Sequence, residues 1–173
     1  MLFRSEIINL AAAELAGLSE AARGLDEQGN SLVDREVDTM CQNLLCVSAR
    51  FNGISKGRRN PEFGLGLGDT GGYKLMVVPA AGQLQLLKGE EVIATIPYEW
   101  KSASWTHLKL QARKIAEGKY SIEGKVWEKE ESKDWMIKFE EAEEPAKGRP
   151  SAWGSPYSST RILVDDLLVT PAE

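Results

Sequence analysis

The chain carries one histidine, His107, and two cysteines, Cys41 and Cys46. A zinc site takes about four Cys, His or carboxylate ligands, so no such cluster is readable here. His107 stands between Thr106 and Leu108 without the signature of a nucleophile–base pair. On one extended strand the two cysteines would stand roughly 16 Å apart and face opposite ways. A disulfide needs Cα atoms within about 7 Å, so a bridge requires an intervening turn. No G-x-S-x-G occurs, and the glycine-rich GLGLGDTGG (Gly64 to Gly72) lacks the lysine and following helix of a phosphate cradle. Its glycines are expected to serve a tight sheet crossing and a hairpin, where side chains would clash. Positive charge is also in deficit. A net charge of −5 and a pI near 5.1 repel phosphate backbones and anionic membranes, which argues against nucleic acid as a partner. No apolar run reaches the roughly 20 residues of a membrane-spanning helix, and the apolar N-terminal piece is interrupted by Glu14, Gly17 and Glu20.

What is present suits one domain with a real core: 173 residues, 42% hydrophobic and 27% charged. Residues 1–29 read as a helical segment. Ile8, Ala11, Leu15, Leu18, Ala22 and Leu25 form a stripe over Glu6 to Leu25, Ser5 is placed to cap its start, and Gly24 or Asp26–Gly29 ends it. The opening MLFRS, residues 1–5, back-translates most directly to a string resembling a sequencing-adapter tail. These five residues are therefore expected to be an assembly artefact, and the natural chain to be longer. A genomic locus encoding them would refute this.

Residues 30–173 change period. LLCVSARF, EFGLGL, GYKLMVV, GQLQLL, EVIATIPYEW, THLKLQARK, KYSIEGKVW, DWMIKFEE and RILVDDLLVT predict about nine short strands, each with one buried face. Val92, Ala94, Ile96 and Tyr98 align on one face, and so do Trp135, Ile137 and Phe139. Gly148 to Thr160 reads as a loop. Many strands without helices between them predict an antiparallel β-sandwich or barrel. EEAEEP (Glu140 to Pro145) reads as a solvated turn, and SKGRR (Ser55 to Arg59) as a short basic loop.

The order of these pieces, from about residue 46 to 170, resembles the laminin-G-like, concanavalin A-like jelly-roll domain. The variant it resembles lies C-terminal to quinoprotein-like (pyrroloquinoline-quinone-type) β-propellers in bacteria. The matching pieces are Trp105, Gly124 to Trp127, Trp135, Gly154 and Asp166 to Val169. The helix over Glu6 to Leu25 departs from that pattern. The resemblance implies a jelly-roll sandwich, an upstream propeller in the same protein, and a periplasmic or extracellular address. It implies a fold more firmly than an activity, because such sandwiches host lectins, hydrolases and packing domains alike.

Glycoside hydrolysis needs two carboxylates about 5–9 Å apart. The nearest approach to the Glu-x-Asp-x-x-Glu strand motif is EVDTMC, in which Glu36 and Asp38 fit but Cys41 occupies the third acid position. Asp165 and Asp166, as strand neighbours, are expected to point to opposite faces. In the family, the matching Asp looks structural, and no calcium ligand set is apparent. Carbohydrate binding needs exposed aromatic faces to stack on sugar rings. Trp135 reads as core, while Trp100 and Trp105 bracket a turn and pack strand ends. Trp153 and Tyr157 lie on the Gly-rich loop. Trp127 alternates with Glu123 and Lys125 and so belongs to the outer, polar face, either as a hairpin-end cluster with the second tryptophan or as a ligand platform.

The sequence thus predicts a non-catalytic accessory module that binds carbohydrate or a protein surface. Its ligand candidates are Trp127, Trp153, Tyr157 and Trp105, with no metal or cofactor. A glycan hydrolase of the keto-disaccharide hydrolase type and a purely structural packing domain remain as alternatives.

Overall fold

A computed structural model describes residues 44–68, 71–146, 148–157 and 160–172. The helix expected over Glu6 to Leu25, the pair Glu36 and Asp38, and Cys41 lie outside the described residues. Ten strands follow in chain order: β1 Leu45–Gly53, β2 Glu62–Leu67, β3 Tyr73–Val78, β4 Gln83–Lys88, β5 Glu91–Pro97, β6 Trp105–Ala116, β7 Lys119–Trp127, β8 Ile137–Glu141, β9 Ser151–Ser155 and β10 Ile162–Pro171. They form two five-stranded antiparallel sheets, ordered β10-β1-β6-β7-β8 and β5-β4-β3-β2-β9. The chain alternates between layers and ends where β1 began: Leu45 pairs with Pro171, and the Ala172 amide donates to the Leu44 carbonyl at 3.0 Å.

Period-two alternation builds the core. Along β1, Leu45, Val47, Ala49 and Phe51 are buried. On β6, Leu108 and Leu110 repeat the pattern, and on β3 Tyr73, Leu75 and Val77 do so from the other layer. The two layers meet where Phe51 stacks on Phe63, with centroids 5.1 Å apart. The β7 alternation Tyr120, Ile122, Gly124, Val126 has a gap at the glycine. A Cβ there would stand 2.6 Å from Leu75 Cδ1 and 2.9 Å from Ile137 Cγ2, so Gly124 leaves room for the facing leucine. A polar tie joins the layers at one edge. Tyr73 of β3 donates to Glu141 Oε2 of β8 at 2.7 Å, and Lys88 of β4 pairs with the same oxygen at 2.5 Å. Those two partners hold the Glu141 carboxyl down at about 2.

The sequence pattern departs from the structure in several places. Ser151–Ser155, expected as loop, is strand β9, paired along β2 from Glu62↔Ser155 to Gly66↔Ser151. A shift in the β4–β5 register between Leu86 and Leu87 breaks the expected Val92–Ala94–Ile96 face. Val92 is 44% exposed, and Ile93 packs on the core with Ala94 and Ile96. Trp135 is not core. β8 begins only at Ile137, and the preceding segment folds back over the outer face of the first sheet. There the Trp135 ring lies 4.8 Å from Lys125 Nζ.

Candidate functional site

The outward side chains of the first sheet form a row across four strands. In register these are Asp165 on β10, Arg50 on β1, His107 on β6 and Trp127 on β7. Each is outward because its strand neighbours Ala49, Phe51, Leu108 and Val126 fill the core. The His107 and Trp127 rings stack with centroids 5.3 Å apart and an interplanar angle of 11°. Its Nδ1 is buried and has no hydrogen-bond partner among the described residues. The Arg50 guanidinium carbon lies 4.5 Å from the Trp105 ring centroid.

Arg50 is held from its far side by a β-bulge. Ser48 pairs with Leu168 and Arg50 with Asp165, so Ala49 opposes two residues of β10, Asp166 and Leu167. Asp166 takes φ 52°, the left-handed conformation that aspartate tolerates better than most residues. The extra residue lets both acids reach one face, contrary to the strict alternation expected of Asp165 and Asp166. Arg50 Nη2 meets Asp165 Oδ2 at 2.7 Å, and Arg50 Nε meets Asp166 Oδ2 at 3.0 Å. Asp165 also accepts from the Asp166 amide at 2.9 Å. The hydrogen bond with Asp165 raises the Arg50 pKa and lowers that of Asp165.

Beyond this row the same face is filled by paired charges. Glu123 is 1% exposed although it points outward. It accepts from Gln111 at 2.7 Å, from Arg113 at 3.0 and 3.2 Å, and from Ser121 at 3.2 Å. Burial raises its pKa, but the hydrogen bonds from Arg113 and Gln111 prevail, so the net shift is downward. Lys125 pairs with Glu131 at 2.6 Å and donates to the Ser132 carbonyl at 2.9 Å. These carboxylates are occupied by cations and donors, which leaves the planar groups of Arg50, Trp105, His107 and Trp127 as the features available to a ligand.

The four aromatic candidates therefore do not form one site. Trp105 and Trp127 share the outer face of the first sheet. Trp153, on β9, lies on the outward side of the second sheet, level with Gly64. Tyr157 lies beyond the end of β9 with Arg59 over its ring at 4.6 Å. Trp100 lines a shallow groove of about 290 Å³ with Pro79, Pro97 and Tyr98. Its ring is turned inward onto Phe63, with centroids 6.0 Å apart, so it closes the core end as expected. Sequence reasoning missed Arg50, which carried no motif. The stack of His107 on Trp127 depends on the β6–β7 register, which no single strand's pattern encodes.

No protein-family model matches the chain, and no curated protein matches it. Among solved structures, the carbohydrate-binding module CBM66 from Bacillus subtilis superposes with a TM-score of 0.55 and 13% identity, over 73% of this chain and 74% of that one. Sheep galectin-11 gives a TM-score of 0.46 and 16% identity, over 73% of this chain and 90% of its own. An alginate lyase of polysaccharide lyase family 7 gives 0.43 and 9%, over 75% and 60%. In fold, the described part of the chain is a two-sheet antiparallel β-sandwich, which the Bacillus module shares.

Proposed function

We infer that this domain is a non-catalytic glycan-binding module whose primary site is the outer face of the first sheet. The observation that carries the reading is the cross-strand row of Arg50, His107 and Trp127, with Trp105 beside it. Indole and imidazole rings offer flat apolar surface to the C–H face of a pyranose, while the Arg50 guanidinium offers polar contacts to its hydroxyls. Arg50 is already neutralised by Asp165 and Asp166, so the site suits an uncharged sugar. The Bacillus module with the same fold is a carbohydrate-binding module by name, which is the ligand class assigned here. Charge speaks against catalysis on this face: Asp165, Asp166 and Glu123 are each engaged by cations, whereas glycoside hydrolysis needs two carboxyl groups flanking the bond. In this reading the module is attached to a larger protein carrying a β-propeller and works outside the cytoplasm.

Affinity electrophoresis and tryptophan fluorescence against a panel of neutral polysaccharides test the site. Binding by the parent protein and its loss in Trp127→Ala, with an unchanged far-ultraviolet spectrum, are expected. Retention of full affinity in both Trp127→Ala and Trp105→Ala would overturn the assignment.

A second reading, docking on another protein surface, is favoured by one feature. Leu163 and Leu168, 45% and 58% exposed, stand on the outward side of the edge strand β10. Such side chains are commonly covered when a partner is present.

A further inference from the structure

The second sheet has its own outward face, built on a different plan. Five of its residues lie in one row: Trp153 on β9 is level with Gly64 on β2 and Met76 on β3, then Gln85 on β4 and Thr95 on β5. Four inter-strand spacings separate Trp153 from Thr95, about 19 Å. In the adjacent row, Gly66 lies between Ser151 and Lys74.

Gly66 makes room for the indole. A Cβ on Gly66 would stand 2.8 Å from Trp153 Nε1 and 2.5 Å from Ser151 Oγ. The ring edge therefore passes over the bare backbone of β2, and Nε1 donates to Ser151 Oγ at 2.8 Å. Lys74 reaches this ring from β3, with its Nζ 4.3 Å from the centroid.

Lys74 is exceptional in its charge environment. Three described lysines are buried or half-buried: Lys74, Lys109 and Lys125. Lys109 and Lys125 both meet Glu131. Lys74 makes no ion pair among the described residues, and its ammonium lies over the Trp153 ring. A half-buried lysine with no counter-charge among the described residues, beside a flat aromatic on an open sheet, is complementary to a sugar that carries its own carboxylate.

The geometry points to a second glycan site on this face, separate from the first, which takes an acidic polysaccharide of the uronate class. Trp153 stacks on a pyranose ring, Lys74 meets the ring's carboxylate, and Gln85 and Thr95 line the path of the neighbouring units. The inference does not depend on the neutral-sugar site, because the two lie on opposite sides of the core and are tested with different ligands.

The full 173-residue chain is titrated with a short oligogalacturonate, with a neutral oligosaccharide of equal length as competitor. Binding is expected to weaken as salt rises. Amide chemical-shift changes should map to β2, β3, β4 and β9. Lys74→Gln should weaken the uronate by about tenfold, equivalent to about 1.4 kcal/mol, and Trp153→Ala by at least as much. Should Trp153→Ala fail to fold, Lys74→Gln and the shift map still decide. Shifts confined to β1, β6 and β7, an affinity indifferent to Lys74→Gln, equal competition by the neutral sugar, or no binding at all would each overturn the proposal.

Discussion

The two outer faces of the sandwich are prepared for contact by opposite means. On the first sheet, planar groups are positioned by charge: Asp165 and Asp166 fix Arg50, Arg50 lies against Trp105, and His107 stacks on Trp127. On the second, an indole is positioned by the lack of a side chain at Gly66, and an ammonium with no ion pair among the described residues lies over it. One face has its electrostatics satisfied within the protein, and the other leaves a charge outstanding. The difference teaches that a similar aromatic inventory can imply different ligands, and that the neighbouring charges decide which.

The largest way to break the comparison is to remove what both faces share. Leu75→Ala, in the core between them, is expected to cost about 2–5 kcal/mol; chemical denaturation should show it, and both binding activities should fall with the folded fraction. Gly124→Val should cost about 1–3 kcal/mol by overpacking against Leu75 and Ile137. That variant presses on the same leucine from the first sheet and tests whether the layers meet as closely as described.

Glu123→Gln acts on the first sheet alone. It strips the counter-charge from Arg113 and weakens the join of β6 to β7, at an expected cost of about 2 kcal/mol. Uronate binding by the folded protein should be spared.

Acid separates a third element, the tie between layers. Glu141 has a folded-state pKa depressed to about 2 from an ordinary value of 4.5. A depressed carboxyl contributes stability that is present above its unfolded pKa and lost as pH falls through its folded one. The stability gap between the parent and Glu141→Gln should therefore shrink steadily from about pH 4.5 to about pH 2. A gap that stays constant over that window would show that the ion pair with Lys88 and the bond from Tyr73 do not form.

The smallest effect is expected at the bulge. Asp166→Gly relieves a left-handed backbone and removes one arm of the Arg50 clamp. The two contributions oppose, each on the order of 1 kcal/mol or less, so thermal stability should hardly move while neutral-sugar affinity falls.

Alternation alone made most of this architecture readable. The buried faces of β1, β3, β6 and β7 and the outward station of Trp127 and His107 all follow from counting by twos. What escaped is what alternation cannot encode. Ser151–Ser155 has little intrinsic strand preference, and its pairing with β2 makes it a strand. The bulge at Asp166 and the register shift beside Leu87 each insert a step that reverses the parity of everything after it. Trp135 kept the parity of Ile137 but lies before the strand begins. The division of Trp105 and Trp127 from Trp153 was hidden for a related reason: outward means two different directions once there are two sheets.

The pairing of Leu45 with Pro171 brings the first and last strands of the described body side by side, at a separation of about 5 Å. A passenger with so narrow a doorway can be spliced into a surface loop of an unrelated host without prying that loop apart. Grafted this way, it would present its two broad sides to solvent on either flank, so one insertion could bridge two polysaccharide strands of unlike charge.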